Sequence, residues 1–194
     1  MYAVEPNDAM RNEGIKYTQE ESFIEWLKGT GENTNLADHC VDWVTMASSF
    51  HWTNPKRSLP EFRRILKKVG FLSIMWNTRD VASSELHTRI EAIIYDIAPN
   101  IKRVSSGNAH HTKDWASVLT STGDFRDVCF IETSYTERMT PERYMGAWRS
   151  VNDIQAQAGS ENFEKILQRI DKIVSPLEYI DVPYKMRSWT AQKA

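Results

Sequence analysis

Residues 41–76, VDWVTMASSFHWTNPKRSLPEFRRILKKVGFLSIMW, predict a strand, a helix and a second strand in succession. Val41–Ala47 is β-branched and aromatic and is bounded by polar residues, which is typical of a buried parallel strand. Asn54-Pro55 offers a helix cap followed by proline, and apolar residues then recur at helical spacing until Gly70. Residues 71–76 are a second buried-strand candidate. This alternation predicts an α/β sheet with parallel crossovers.

Toward the N-terminus, two further short strands are expected. Residues 1–4 are apolar and run into Glu5-Pro6-Asn7-Asp8, which predicts a strand-to-helix junction with an acid at its tip. Residues 23–27 run into Gly29-Thr30-Gly31 and are interpreted as a strand. In the helix that follows Pro55, Lys67 and Lys68 are expected in the last turn, where they would complement the helix dipole.

Toward the C-terminus, helices and strands continue to alternate. The patterns predict a helix over residues 86–97, a loop or lid over 101–112, a short helix over 115–119, a strand over 125–135, a capped helix from Thr140-Pro141, a helix over 163–174 and a final strand over 179–190. We expect one domain over residues 1–194, with a partial cofactor-binding half (1–80), a helix and lid (81–124) and C-terminal strands with inserted helices (125–194).

Composition excludes several protein classes. The chain has 194 residues, with 24 Lys plus Arg against 26 Asp plus Glu, so its net charge of −2 offers no polyelectrolyte signature for nucleic acid. No apolar run approaches the roughly 18 residues that a membrane span needs, and no export signal is recognisable. Cys40 and Cys129 match no disulfide or metal spacing, which favours a cytoplasmic setting and no metal site.

Taken together, several strings resemble class I S-adenosylmethionine-dependent methyltransferases of the methyltransferase-11 type. The strings are VEPNDAMR, GTGENTNLADHCVDWVTMASSFHW and EFRRILKKVGFLSIMWNTRD, followed by TPERYMGAWRS and PYKMRSWTA near the C-terminus. Each string is weak alone, but their order and spacing are specific, and they cover essentially the whole chain. The resemblance implies a Rossmann-like α/β sheet with helices on both faces and an antiparallel C-terminal hairpin, and it implies S-adenosylmethionine as the cofactor.

The resemblance also implies where the cofactor binds. In the family, the acid after the second strand holds the ribose hydroxyls, the loop after the third strand contacts adenine, and the segment after the fourth strand borders the methionine portion. These roles transfer to the following residues: Glu5, with Pro6 and Met10 beside adenine; Gly31 and Glu32; and Ala47, Ser48, Phe50, His51 and Trp52. From position alone, Glu5 could equally cap the helix that follows it. Gly31 stands where the family often has alanine.

One feature of the family is missing from this sequence. Members begin with a strand and a G-x-G-x-G turn upstream of the acid-tipped strand, and this chain starts after that point. In the family's sheet order, 3-2-1-4-5-7-6, that strand is central, so either its neighbours pair directly or a partner fills the gap. A truncated gene model is the explanation that we favour. A homodimer across the open sheet is the other possibility.

The implied reaction is methyl transfer to a small-molecule acceptor. His51 is the candidate general base, against the alternative of a structural or substrate-shaping histidine. Trp52 is expected beside the acceptor, and the inserted helix contributes Tyr144, Trp148 and Arg149 to the acceptor pocket, although core packing explains the aromatic residues nearly as well. Phe50 and Trp52 could border the sulfonium or simply pack.

Other functions were weighed against this one. The main alternative is a shortened, non-catalytic relative that acts as an interaction or regulatory subunit. A nucleotide-binding oxidoreductase is disfavoured because F-H-W and W-N-x-R-D match the methyltransferase pattern. Adjacent His110 and His111 do not predict a metal site, and they are assigned to the lid over the acceptor pocket. The basic residues Lys102, Arg103 and Lys113 near them could attract an acidic substrate, although a solvated surface is the commoner explanation for scattered charges.

Overall fold

Strands and helices alternate along the chain. The structure is a computed structural model that describes residues 1–102 and 113–194. The strands are β1 (Tyr2–Val4), β2 (Glu25–Leu27), β3 (Val41–Ala47), β4 (Leu66–Arg79), β5 (Phe125–Met139) and β6 (Ile180–Lys193). The helices are α1 (Asp8–Tyr17), α2 (Pro55–Ile65), α3 (Glu85–Ile97), α4 (Trp115–Thr120), α5 (Pro141–Arg149) and α6 (Asn152–Val174), with short 3₁₀ turns at Phe50–Trp52 and Val81–Ser83.

The described strands form two sheets. β1 and β2 are parallel and make a two-stranded sheet, with Tyr2 opposite Glu25 and Val4 opposite Leu27. The second sheet has the order β3-β4-β6-β5, and β3 is parallel to β4. Direct pairing of β1 with β3 was one of the two alternatives for the sheet. This pairing is not formed: β1 belongs to the two-stranded sheet and β3 to the four-stranded sheet.

The C-terminal strands are antiparallel, as expected. Along β4 and then β6, the oxygen of Ser73 meets that of Thr190 at 2.6 Å, and the hydroxyl of Thr78 donates to the carbonyl of Lys185 at 3.3 Å, so partner numbers fall as residue numbers rise. Between β5 and β6 the same reversal is seen in the stacked rings of Tyr135 and Tyr184 and in the backbone bond from Ala194 to Asp124. α5 and α6 lie in the connection between β5 and β6.

The boundary between α2 and β4 differs from the expected one. α2 ends at Ile65, so Lys67 and Lys68 lie in β4 rather than in the last helical turn, and Gly70 is a strand residue. The backbone N–H of Cys40 donates to the Ile65 carbonyl at 2.8 Å, which begins the pairing that continues between β3 and β4. Pairing with β3 is thus present at Leu66 and resumes at Phe71, and residues 67–70 between them are strand residues where the apolar pattern alone suggested more helix.

The chain divides into two compact units. The first unit contains residues 1–75, 114–131 and 188–194, and the second contains residues 76–113 and 132–187. The single-domain prediction, with divisions after residues 80 and 124, stays a prediction.

The first unit has its core where α2, α4 and the sheet meet. α2 buries Leu59, Phe62 and Ile65 on one face. The ring of Phe50 packs edge-on against Trp115, with ring centroids 5.6 Å apart. By contrast, α1 buries none of its residues.

The second unit has a larger apolar cluster. α6 packs against α3 and α5 and buries Phe163, Ile166, Leu167 and Ile170. Gly159 interrupts α6 with a φ of 75° and a ψ of 163°, a conformation that L residues rarely adopt. α6 is therefore two helical segments joined at Gly159. Among the helices that the structure describes, none is both long enough and apolar enough to cross a membrane.

Candidate functional site

In the first unit, polar and glycine-containing segments follow the ends of three strands. Glu5 follows β1, a loop with Gly29, Gly31 and Glu32 follows β2, and residues 48–52 follow β3. In open α/β sheets, ligands bind outside the carboxyl ends of parallel strands. Most of the predicted cofactor residues lie at these three ends.

Glu5 shapes the turn between β1 and α1. One oxygen of its half-buried carboxylate accepts the backbone N–H of Asn7 at 2.8 Å. The helix cap itself is Asn7, whose side chain accepts the backbone N–H of Met10 at 3.0 Å. The other oxygen of Glu5 accepts no hydrogen bond from any residue in the described ranges, so it remains available to a ligand hydroxyl. Pro6 and Met10 are both exposed beside it.

Two glycines bring the loop after β2 close to its neighbours. A Cβ on Gly29 would lie 2.9 Å from Cγ1 of Val4, at the end of β1. A Cβ on Gly31 would lie 2.7 Å from Cγ2 of Thr53, just before α2. Since real Cβ atoms essentially never approach so closely, this loop lies against the end of β1 and the start of α2 only because these residues lack side chains.

The same loop is fixed by carboxylates at both of its ends. Glu32 accepts the backbone N–H of Asn54 at 2.7 Å, which ties the loop to the start of α2. Farther along, Glu61 accepts both the backbone N–H and the hydroxyl of Thr34, at 2.8 and 2.6 Å. Arg64 donates to Glu61, and mainly for this reason the pKa of Glu61 falls to about 2. Glu32 thus holds the loop in place, a contribution that its predicted place beside adenine did not include.

The segment after β3 presents one exposed and one buried aromatic ring. Ala47 ends β3, and Ser48 has a positive φ of 50° that turns the chain. Phe50 is fully buried, so packing accounts for its ring, and its predicted cofactor contact stays a prediction. His51 is half-buried, with its ring 4.6 Å from that of Trp52, and Trp52 is 75% exposed. His51 and Trp52 are therefore the side chains of this segment that a ligand can reach.

The second unit contains a cation held over two aromatic rings. The guanidinium of Arg79, at the end of β4, lies 5.4 Å from the ring centre of Tyr144 and 4.6 Å from that of Trp148. Tyr144 and Trp148 are one turn apart on the buried face of α5. Arg149, the third residue predicted for the acceptor pocket, is exposed and does not belong to this group. The structure thus brings two of the three residues together and adds Arg79.

His87 completes this group from α3. It is buried, its ring meets that of Tyr144 edge-on at 5.7 Å, and its Nδ1 lies 2.8 Å from the hydroxyl oxygen of Ser84. Nε2 of His87 and the hydroxyl of Tyr144 are buried without a hydrogen bond of normal geometry in the described part of the chain. Burial, and then the charge of Arg79, lower the pKa of His87 to about 4, so its ring is neutral near pH 7.

The Tyr144 hydroxyl is also kept in its neutral form. Burial raises the pKa of Tyr144, and the neighbouring Trp148 opposes this rise only in part. Arg79, His87, Tyr144 and Trp148, hereafter the Arg79 cluster, therefore combine one cation with neutral polar groups. Sequence patterns did not identify Arg79 or His87 as site residues. The only signal was the R of the W-N-x-R-D string.

The predicted lid falls largely outside the described residues. Residues 103–112, which include Arg103, His110 and His111, are not described. Lys102 is described, and its backbone exchanges two hydrogen bonds of 2.9 Å with the side chain of Gln157. Within residues 1–102 and 113–194, no three His, Cys, Asp or Glu side chains gather as metal ligands would.

Comparisons with known proteins agree with one another. The methyltransferase domain family matches residues 1–74. An uncharacterized methyltransferase of Mycobacterium bovis is 35% identical over 99 residues, which are 48% of this chain and 41% of that protein. An uncharacterized methyltransferase-like protein of Schizosaccharomyces pombe is 25% identical over 184 residues, 88% of this chain and 65% of that protein. The chain therefore spans less than half the length of the first relative.

Similarity of fold extends over nearly the whole chain. A solved structure assigned to a type II methyltransferase of Anaeromyxobacter dehalogenans superposes with a TM-score of 0.60 at 14% identity. The match covers 99% of this chain and 79% of that one. At this identity the match establishes the fold, and the Rossmann-like prediction is confirmed.

Proposed function

Because the fold resembles that of a solved methyltransferase and residues 1–74 match the methyltransferase domain family, we propose that the chain transfers a methyl group from S-adenosylmethionine to a small-molecule acceptor. The observation that carries the proposal is the open carboxylate oxygen of Glu5 beside a loop that glycine brings close to β1. A carboxylate is purely an acceptor and is suited to the two hydroxyls of a ribose.

The residues at the strand ends fit such a cofactor. Glu5 would accept a ribose hydroxyl, exposed Met10 offers an apolar surface for adenine, and the Gly31 loop lets backbone approach the base. Ala47 and Ser48, where the chain turns after β3, would border the methionine portion. The bound cofactor supplies an electrophilic methyl group on a positively charged sulfur.

The protein's own contribution is alignment and proton removal. Methyl transfer is a direct displacement, in which orientation contributes on the order of 7 to 11 kcal/mol at best. His51 would accept a proton at a ring nitrogen from an acceptor O–H or N–H, an effect of about 100- to 10,000-fold. Exposed Trp52 beside it offers a ring face to the acceptor or to the cationic sulfur.

Calorimetric titration of the full chain with S-adenosylhomocysteine tests this proposal, because product binding needs no acceptor. We expect a dissociation constant in the micromolar range and a loss of about tenfold or more in Glu5→Gln, since hydrogen bonds to a charged group contribute about 1.5–3 kcal/mol. Glu13→Gln is the matched control, because Glu13 is exposed on α1 and pairs with the exposed Lys16. A folded chain without binding, or equal losses in both variants, would refute the proposal.

A second function is supported by the open edge of β3. β3 is the outer strand of the four-stranded sheet, and its Trp43 is 60% exposed. Unpaired strand edges are pairing sites for other chains. A non-catalytic subunit that dimerises through this edge would sediment as a dimer. Thr45→Pro, which removes a backbone N–H on the side of β3 that faces away from β4, would make it a monomer without changing S-adenosylhomocysteine binding. A monomeric wild-type chain excludes this function.

A further inference from the structure

The Arg79 cluster holds a cation that has no counter-ion in the described part of the chain. No described carboxylate forms an ion pair with Arg79, and the neighbouring Asp80 pairs instead with Lys185 at 3.4 Å. Residues 103–112, RVSSGNAHHT, contain no carboxylate at all. Within the described ranges Arg79 also donates no hydrogen bond. Aromatic rings stabilise a cation by about 0.5–2 kcal/mol but leave the five N–H donors of a guanidinium without acceptors.

The groups around Arg79 are short of acceptors as well. The Tyr144 hydroxyl and Nε2 of His87 are buried without a normal hydrogen bond among the described residues. An unpaired buried polar group costs about 1–3 kcal/mol, so two such groups beside one unpaired cation are expensive to maintain. The hydroxyl can donate, and the imidazole donates when its proton is on Nε2. All three groups are therefore satisfied at once by a ligand that accepts hydrogen bonds and carries negative charge.

The number of charges selects the class of anion. One guanidinium offers a single positive charge and a planar fork of N–H donors, and a carboxylate matches both properties by accepting two parallel hydrogen bonds. A phosphate carries more charge and is usually met by several cations. Lys185, which lies beside Asp80, the residue after Arg79, is already paired with the Asp80 carboxylate.

We propose that the Arg79 cluster binds the carboxylate of a small organic acid, with Tyr144 and His87 donating to it beside the guanidinium. This binding site goes beyond the proposed function and does not depend on it. Arg79 and His87 then determine specificity, and a neutral isostere of the acid is rejected because it leaves the cation unpaired.

Titration of the full, ¹⁵N-labelled chain tests the site without cofactor. The side-chain N–H signal of Arg79 is followed by NMR during titration with butyrate, with butyramide as the uncharged isostere and with inorganic phosphate. We expect saturable shifts with butyrate, at least tenfold weaker binding of butyramide, and weaker binding of phosphate than of butyrate. Equal binding of butyrate and butyramide, tighter binding of phosphate, or no saturable shift would overturn the proposal.

Single substitutions distinguish the loss of the Arg79 charge from the loss of the fold. Arg79→Met, detected through the Tyr144 and His87 signals, is expected to lose butyrate binding at least tenfold, while Arg126→Met, at an exposed arginine of β5 beside Asp127, leaves it unchanged. Tyr144→Phe keeps the ring and removes only the hydroxyl, so it is expected to weaken butyrate about threefold or more even if Arg79→Met fails to fold. Unchanged affinity in Tyr144→Phe would remove the hydroxyl from the site.

The two proposals fail in different ways. Butyrate binding by a chain that does not bind S-adenosylhomocysteine would refute methyl transfer and leave a carboxylate-binding protein. S-adenosylhomocysteine binding without butyrate binding would refute the carboxylate site and leave the methyl-transfer proposal standing.

Discussion

The N-terminal part of the first unit and the helical core of the second are built by different means. α1 buries no residue, and the three-residue strands β1 and β2 contain none that is fully buried. In the second unit, α6 alone buries six residues, including Ile166 and Ile170. The predicted cofactor edge is thus held by hydrogen bonds and glycine contacts, whereas the second unit is held by apolar packing. Ligand-binding segments commonly come from the less stable parts of a fold, and our proposal places the cofactor in such a part.

The largest expected difference between these two regions is in stability. Ile170→Ala removes a fully buried side chain from the core of α6 and should lower the free energy of unfolding by about 2–5 kcal/mol. Ile15→Ala, in α1, removes a side chain that is 44% exposed and should change it by less than about 1 kcal/mol. Urea unfolding of both variants measures the two values. Equal losses of unfolding free energy in the two variants would show that α1 is stabilised by packing as much as α6 is.

A second difference should appear in acid. The folded-state pKa of Glu61 is about 2 and its ordinary value is 4.5, so its contribution to stability is fully present above about pH 4.5 and is lost as pH falls from 4.5 toward 2. Because solvent reaches Arg64, we expect a loss of about 1–2 kcal/mol.

Unfolding free energies of wild type and Glu61→Gln measured between pH 6 and pH 2 check this contribution. The variant should be less stable than the wild type at pH 6. The difference between their unfolding free energies should narrow by about 1–2 kcal/mol as the pH falls. A gap that stays constant would mean that Glu61 is held by neutral hydrogen bonds alone. Glu164→Gln, on the exposed face of α6, is the matched control.

The smallest expected effect concerns a single methyl group at the cofactor edge. Gly31→Ala places a Cβ 2.7 Å from Cγ2 of Thr53, so we expect a loss of about 1 kcal/mol and weaker S-adenosylhomocysteine binding. Adding Thr53→Ser removes that methyl group but keeps the hydroxyl that donates to the Phe50 carbonyl. The double variant should recover both stability and binding in calorimetry. Failure to recover would locate the effect in the loop backbone instead.

Much of the fold was accessible from periodicity, because local patterns determine it. The β-branched run of β3, the proline-led start of α2 and the caps at Asn54 and Thr140 are local signals, and the structure contains all of them. The end of α2 was not accessible, since residues 66–69 continue the apolar spacing of the helix although they are strand residues, with Leu66 opposite Val41 of β3. Whether such a segment forms helix or strand depends on its contacts with a neighbouring strand. A local sequence pattern carries no information about those contacts.

The residues of the candidate sites also divide into those that the sequence identifies and those that only the fold brings together. The strand-end residues were found because a sequence resemblance placed them, and Tyr144 with Trp148 because helical spacing puts them on one face. The approach of Arg79 and His87 to these rings joins three elements that are far apart in sequence. Neither residue is recognisable as a site residue from the sequence. Burial in the folded chain is what lowers the pKa of His87.

The break at Gly159 has a consequence for how the family can vary. The helical periodicity does not continue across a non-helical residue. The number of residues before the break therefore does not determine the direction in which Phe163, Ile166 and Ile170 point. Insertions or deletions between residues 152 and 158 can therefore change the length of the first segment while the buried stripe of the second keeps its orientation. Homologues are expected to tolerate length changes there, whereas one residue added after Gly159 would rotate that stripe by about 100°.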